Sequence, residues 1–208
     1  YCLHQMMDNG DVPKVPVFVD SPLAINASEI FRAHPEVFDE ETQAFMRTDQ
    51  LHAALDFEGL KYTRSVWESK AINDVKGPAV IISASGMAEV GRILHHLRNN
   101  IENPKNTILI VSWQAPHTLG RRLADRETDI RIFGERYTRK AEVATIGGFS
   151  AHAGQKLLVE YAQAVQDQVK KIFLVHGEHR GADALMAKLK EVGMSNVYFP
   201  EEHTTFEL

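Results

Sequence analysis

Short apolar runs alternate along this chain with stretches of helical periodicity, and that alternation limits the fold more than any other feature. The runs lie at residues 15–19, 79–83, 107–112, 144–147, 171–175 and 196–199. They are rich in Val and Ile and nearly continuous, the pattern of strands buried on both faces of a parallel sheet. Pro16 in the first run predicts a start at a sheet edge, because proline has no N–H for a ladder. Between the runs, Ile93, Leu94, Leu97 and Ile101 share one helical face. Leu157, Leu158, Tyr161, Ala162 and Val165 do the same after Gln155. A third helix is expected over residues 183–192, stopped by Gly193. Strand and helix in this order require right-handed crossovers. The fold class is therefore α/β, a mostly parallel sheet with flanking helices.

Residues 35–75 read differently. His34-Pro35 breaks one helix, Asp39-Glu40-Glu41 opens another, and the apolar pattern is helical rather than strand-like. A length of 208 residues predicts one or two domains. The expected boundary falls near Phe133-Gly134-Glu135, dividing the chain into 1–134 and 135–208. The chain opens with Tyr1-Cys2-Leu3 in what reads as the end of a helix, as expected of a segment of a longer protein.

Cys2 is the single cysteine, which excludes a disulfide framework and a multi-cysteine zinc site within the chain. A metal would have to rely on carboxylates and the ten histidines. Net charge is 23 minus 28, or −5, which argues against coating nucleic acid through bulk charge. Residues 118–140 depart from that balance: seven basic residues stand against four acids, and a local basic stretch of this kind can steer a polyanion. A solvated surface is the commoner reading of such a run. No apolar run approaches the ~18 residues of a membrane span, and the N-terminus is no signal peptide. No membrane partner and a cytoplasmic location are expected.

Ligands of α/β folds sit beyond the carboxyl ends of the strands. There, Ser83-Ala84-Ser85-Gly86-Met87 joins a strand to a helix with small residues. Ser83, Ser85 and Gly86 could leave hydroxyls and backbone N–H groups facing a phosphate; a tight turn that needs small residues is the plainer reading. The lysine of a P-loop and the G-x-G-x-x-G spacing are both missing, which disfavours a dinucleotide oxidoreductase. Asp20-Ser21-Pro22 also ends a strand, and reads first as a helix cap. His152, after Gly147-Gly148-Phe149-Ser150-Ala151, and His176, after Phe173-Leu174-Val175, lie past successive strands of one βαβ unit. Either imidazole could bind zinc or pass a proton to a leaving oxygen. His179 does not complete a chelating pair with His176 if His176 ends a strand. His95 and His96 are consecutive on a helix and point in different directions.

Five segments together resemble one family: residues 17–24 (VFVDSPLA), 83–87 (SASGM) with 91–97 (GRILHHL), 118–122 (TLGRR), 148–153 (GFSAHA) and 174–178 (LVHGE). In this order they are similar to the β-CASP family of metallo-β-lactamase-fold RNA nucleases, nearest to bacterial and archaeal relatives of the pre-mRNA 3′-end cleavage endonuclease. The resemblance covers nearly the whole chain. It implies a β-CASP domain over about residues 10–130 and a C-terminal βαβ segment of the metallo-β-lactamase domain over about 140–200. His176 then matches a ligand of the second zinc, and His152 the histidine that contacts the scissile phosphate as candidate general acid. Ser83, Ser85, Gly86, Arg121 and Arg122 become candidate RNA contacts, with Asp20, Ser21 and Glu178 in support. The resemblance further implies two zinc ions in the full-length parent and single-stranded RNA as partner.

Two departures stand out. The family's H-x-H-x-D-H metal motif lies upstream of the β-CASP insertion and has no match here. Trp113-Gln114-Ala115-Pro116-His117 replaces a loop in which relatives often carry Tyr first and Gly last. With one matched ligand, the chain alone is expected to lack a complete zinc site and appreciable hydrolase activity. The competing reading is a non-catalytic α/β module that binds RNA or a phosphorylated ligand. Exposed apolar sheet surface also predicts self-association, with a homodimer as the simplest form.

Overall fold

In the computed structural model, which describes residues 1–48, 54–149 and 152–206, a short helix α1 (Cys2–Asp8) leads into strand β1 (Val17–Asp20). Helix α2 (Pro22–Ala33) follows, started by the Ser21 cap and by Pro22 in the first turn, and ended before Pro35. Helix α3 (Glu40–Thr48) opens on its acids, with Asp39 accepting from the Thr42 N–H at 2.8 Å. Next come β2 (Leu60–Tyr62), α4 (Val66–Ala71) with a Ser65/Glu68 capping box, and β3 (Val80–Ser83). The first compact unit, Tyr1–Ser150, is completed by α5 (Ile93–Asn100), β4 (Thr107–Ile110), α6 (Leu119–Ala124), β5 (Asp129–Ile132), β6 (Glu135–Thr138) and β7 (Glu142–Thr145). The second, Ala151–Leu208, holds α7 (Gln155–Ala164), β8 (Ile172–Phe173), α8 (His179–Glu191) and β9 (Val197–Tyr198).

The pairing is parallel except in one hairpin. Strand order β2-β1-β3 puts β1 at the centre, with Val17 opposite Leu60 and Val80, and Asp20 opposite Ser83. Pro16 therefore does not mark an edge. It precedes the ladder, where its missing N–H is not needed, and its carbonyl accepts from Val80. Strands β4 and β7 form a second parallel pair, and β8 and β9 a third around α8, the C-terminal βαβ unit. Strand β2 lies in the stretch expected to be wholly helical. At three residues it is too short to show a period, and its pairing with β1 decides its state.

The hairpin of β5 and β6 turns at Phe133 and Gly134, both with positive φ (51° and 82°), as a two-residue primed turn requires. Phe133 and Gly134 are thus the tip of a hairpin, and the compact units are Tyr1–Ser150 and Ala151–Leu208. Leu97, Ile101, Leu123, Ile130, Ile132 and Val143 fill a core between α5, α6 and strands β4, β5 and β7. Met7, Val17 and Phe57 form a second cluster, and Val159, Ala162 and Leu189 the core of the C-terminal unit. Helix α8 ends in a Schellman motif. Gly193 (φ 91°) donates to Lys190 and Met194 to Leu189, and Met194 packs on the same cluster as Leu189.

Candidate functional site

The register that sets Asp20 opposite Ser83 builds the most elaborate polar centre among the described residues. Asp20 ends β1, so its side chain is wholly enclosed, with no exposed surface. Thr63 and Ser69 donate hydroxyls to it at 2.6 Å each, and Arg92 Nη1 donates to Oδ1 at 2.6 Å. His96 Nε2 lies 2.6 Å from Oδ2 and must carry the proton, since a carboxylate only accepts. Burial alone would push the Asp20 carboxyl up, but the hydrogen bonds from Ser69, Thr63, His96 and Arg92 outweigh it and hold the group down at about 2. Arg92 also donates to the carbonyls of Thr63 and Arg64, at 2.9 and 2.8 Å. Ser21, the neighbour of Asp20, is the cap that sequence reasoning expects, accepting from the Ala24 N–H at 3.3 Å.

The Ser83–Gly86 segment leaves β3 directly above this centre. Ser83 donates its hydroxyl to the Asp20 carbonyl at 3.0 Å. The helix whose apolar face runs from Ile93 to Ile101 begins at Ile93. The intervening loop closes on itself: Ser85 N–H donates to Val90, Ala88 N–H to Ser85, and the Val90 N–H reaches the Ser85 hydroxyl at 3.4 Å. Gly91 (φ 92°) lets the loop close, since a Cβ there would meet the Ala84 carbonyl oxygen at 2.5 Å. Gln114, on the loop after β4, clamps the turn by donating to the Gly86 carbonyl at 2.9 Å and to the Ser112 carbonyl at 3.1 Å. Gly120 allows that clamp, because a Cβ on it would collide with the Gln114 amide; its own N–H donates to Met87 at 2.8 Å. The Glu89 carboxylate accepts from the Leu119 N–H and ties the same two loops again.

Arg121 and Arg122 lie on α6 behind the Thr118 cap. Each is paired within the chain, Arg121 with Asp125 at 2.9 Å and Arg122 with Glu127 at 2.8 Å. Arg122 donates as well to the Asp129 carbonyl, and Arg139 to the carbonyls of Glu127, Ala141 and Arg126. Much of the local basic excess therefore holds the hairpin and α6 together. Both guanidinium groups of α6 keep part of their surface in solvent.

In the C-terminal unit, His152 stands just before the Gly154 cap of α7, and His176 two residues before Glu178, the residue that caps α8. Both are exposed. His176 has positive φ, 60°, which places it past the end of β8. Glu178 acts through its backbone, whose carbonyl accepts from Gly181 and Ala182, both at 2.9 Å. His179 opens α8 and meets Phe199 edge-on, so the H-x-x-H spacing spans a loop and a helix. Strand β7 pairs with β4 within the first unit, and β8 with β9 within the second. Ser150 and Ala151 of the GFSAHA motif lie outside the described residues. No three His, Cys, Asp or Glu side chains gather around a metal-sized space among the described residues. The donors present do not by themselves make a zinc site.

Sequence reasoning misses Thr63, Ser69, Arg92, His96, Gln114 and Gly120. One usable signal exists: Arg92 and His96 are four apart at the start of α5, a spacing that puts two side chains on one face.

Residues 1–123 match the family model described as the Beta-Casp domain, and residues 136–200 match the zinc-dependent metallo-hydrolase RNA specificity domain. Ribonuclease TTHA0252 of Thermus thermophilus is 35% identical over 175 residues, which are 84% of this chain and 39% of that protein. Transcription termination factor FttA of Methanosarcina mazei is 28% identical over 197 residues, 90% of this chain and 31% of its own length. The FttA of Thermococcus kodakarensis is 32% identical over 190 residues, 88% and 29% respectively. The chain thus spans between 29% and 39% of the length of these three curated relatives.

Proposed function

The chain belongs to the β-CASP family of metallo-β-lactamase-fold RNA nucleases, and on that premise we propose that it forms the cap and C-terminal catalytic segment of a zinc-dependent ribonuclease acting on single-stranded RNA in the cytoplasm. The observation that carries this reading is the succession of two family models along the chain, a Beta-Casp domain followed directly by an RNA specificity domain of zinc-dependent metallo-hydrolases. In the first unit, the Ser83–Gly86 turn and the part-exposed guanidinium groups of Arg121 and Arg122 supply contacts to the phosphate backbone. The Asp20 centre, through Arg92, fixes the loop from which those contacts are made.

In the C-terminal unit, His152 is an exposed imidazole able to hand a proton to the leaving oxygen of a cleaved phosphodiester. His176 offers one imidazole to a pair of zinc ions whose other ligands come from elsewhere in the parent protein. Zinc would supply charge neutralisation at the phosphate, but the residues present here do not hold it alone. The isolated chain is accordingly inactive, and a homodimer is the association state we assign to the parent.

The test is cleavage of end-labelled single-stranded RNA, with zinc and with chelator, by this chain and by a version extended upstream to the natural start. Cleavage by the extended protein alone, abolished in His152→Ala and in His176→Ala, is the expected result. Zinc-dependent cleavage by the 208-residue chain would overturn the division of the site. If neither protein cuts and both bind RNA, the non-catalytic module is the correct reading.

A further inference from the structure

Trp113 is 56% exposed, a large apolar surface to leave in water on the loop after β4. Its mount is fixed. The next residue, Gln114, is only 4% exposed, and its amide donates to the Ser112 and Gly86 carbonyls and to the Ser112 hydroxyl. The indole is thus presented on a rigid support, with the backbone of the Ser83–Gly86 turn as part of that support. A second aromatic, Phe149, is 62% exposed at the corresponding end of β7. Strands β4 and β7 are adjacent and in register, Ile110 opposite Thr145, and the ladder continues through the Ile146 N–H to the Ile110 carbonyl at 2.8 Å.

Charge narrows what such a surface can take. A chain of net charge −5 gains little from bulk attraction to a polyanion. Three guanidinium groups of its basic stretch, Arg121, Arg122 and Arg136, already face carboxylates. Affinity for RNA then gains from contacts to the bases beside those the part-exposed Arg121 and Arg122 make to phosphates. Flat side chains provide these without regard to sequence, and only when the bases are unpaired. Aromatics with two side-chain torsions on a fixed backbone lose little entropy on binding.

We propose that Trp113 is a base-stacking site for single-stranded RNA, placing one base beside the Ser83–Gly86 turn, with Phe149 as a second, weaker platform. The proposal rests on the RNA-processing reading above and adds to it the residue that grips the base. Trp67, the other tryptophan, is 80% exposed on α4 but carries the Lys70 ammonium over its ring, 5.4 Å from the centroid, and serves as the internal control.

The experiment is a fluorescence titration of this chain, in a Trp67→Phe background, with a single-stranded uridine-rich 12-mer and with an abasic strand of equal length. The 12-mer should quench Trp113 emission. Trp113→Ala should weaken its binding by about tenfold or more, the size of one stacked base, Trp113→Tyr should restore most of the loss, and Phe149→Ala should cost less. The abasic strand should bind wild type and Trp113→Ala alike, and the salt dependence should not change. Equal binding of the 12-mer by wild type and Trp113→Ala would overturn the stacking site and leave the RNA reading standing, with the indole then a contact for the rest of the parent protein. Failure of the chain to bind either strand would remove both.

Discussion

The Asp20 centre and the two histidine loops of the C-terminal unit use polar side chains in opposite ways. Asp20 is closed from solvent and receives four side-chain hydrogen bonds from residues brought in by β2, α4 and α5. His152 and His176 lie in solvent at the heads of two helices. The first arrangement spends its bonding capacity inside the chain and yields a fixed shape. The second keeps two imidazoles at the solvent surface, where a group proposed to meet a phosphate or a metal must lie. In this molecule burial and convergent hydrogen bonds mark the support, while the histidines proposed for the chemistry are exposed ahead of two helices.

Substitutions at the two places should therefore separate cleanly. Asp20→Ala leaves a guanidinium and an imidazole buried without their acceptor and should cost about 3–5 kcal/mol in urea unfolding of the chain. A loss below about 1 kcal/mol would erase the contrast. Acid should reach the same centre next. Because the carboxyl sits at about 2 when folded, below its unfolded value, its stabilisation is complete above roughly pH 4 and is lost as the pH falls through 2. The difference corresponds to about 2 kcal/mol, visible as a drop in unfolding midpoint between those values that is absent in Asp20→Asn. Arg92→Lys should cost about 1–2 kcal/mol, because an ammonium cannot span Asp20 and the carbonyls of Thr63 and Arg64 as the forked guanidinium does. His152→Ala and His176→Ala should each change the unfolding free energy by less than about 0.5 kcal/mol. A larger loss at either would move that histidine to the supporting side.

The two regions are also unequally legible in the sequence. Val17 to Val19 can be read as a strand because a buried parallel strand leaves a continuous apolar run, and Gly193 as a helix stop because its φ of 91° suits few other residues. Ser21 is legible as a cap since its partner, Ala24, is three residues away. The Asp20 centre is not, as its partners lie 43 to 76 residues off and the one local signal, the four-residue spacing of Arg92 and His96, does not point to Asp20. Strand β2 escapes for a related reason: three residues carry too little periodicity, and their state is set by β1. Phe133-Gly134 is legible as a break between elements, and in the fold it is the two-residue turn of the β5–β6 hairpin. His152 and His176 stand out because each sits in a short contiguous motif, GFSAHA and LVHGE, whose information is local.

The span of the Asp20 centre has a consequence for how the protein is made. Its last partner, His96, is 76 residues downstream. At a synthesis rate of roughly 5–20 residues per second, Asp20 leaves the ribosome about 4–15 seconds before His96. During that interval the carboxylate has no choice but to stay hydrated, which holds the end of β1 open and delays burial of the strand. The sheet β2-β1-β3 should then close around Asp20 only when α5 arrives, so a nascent chain truncated before residue 92 would be more protease-sensitive at the end of β1 than one extended past residue 100.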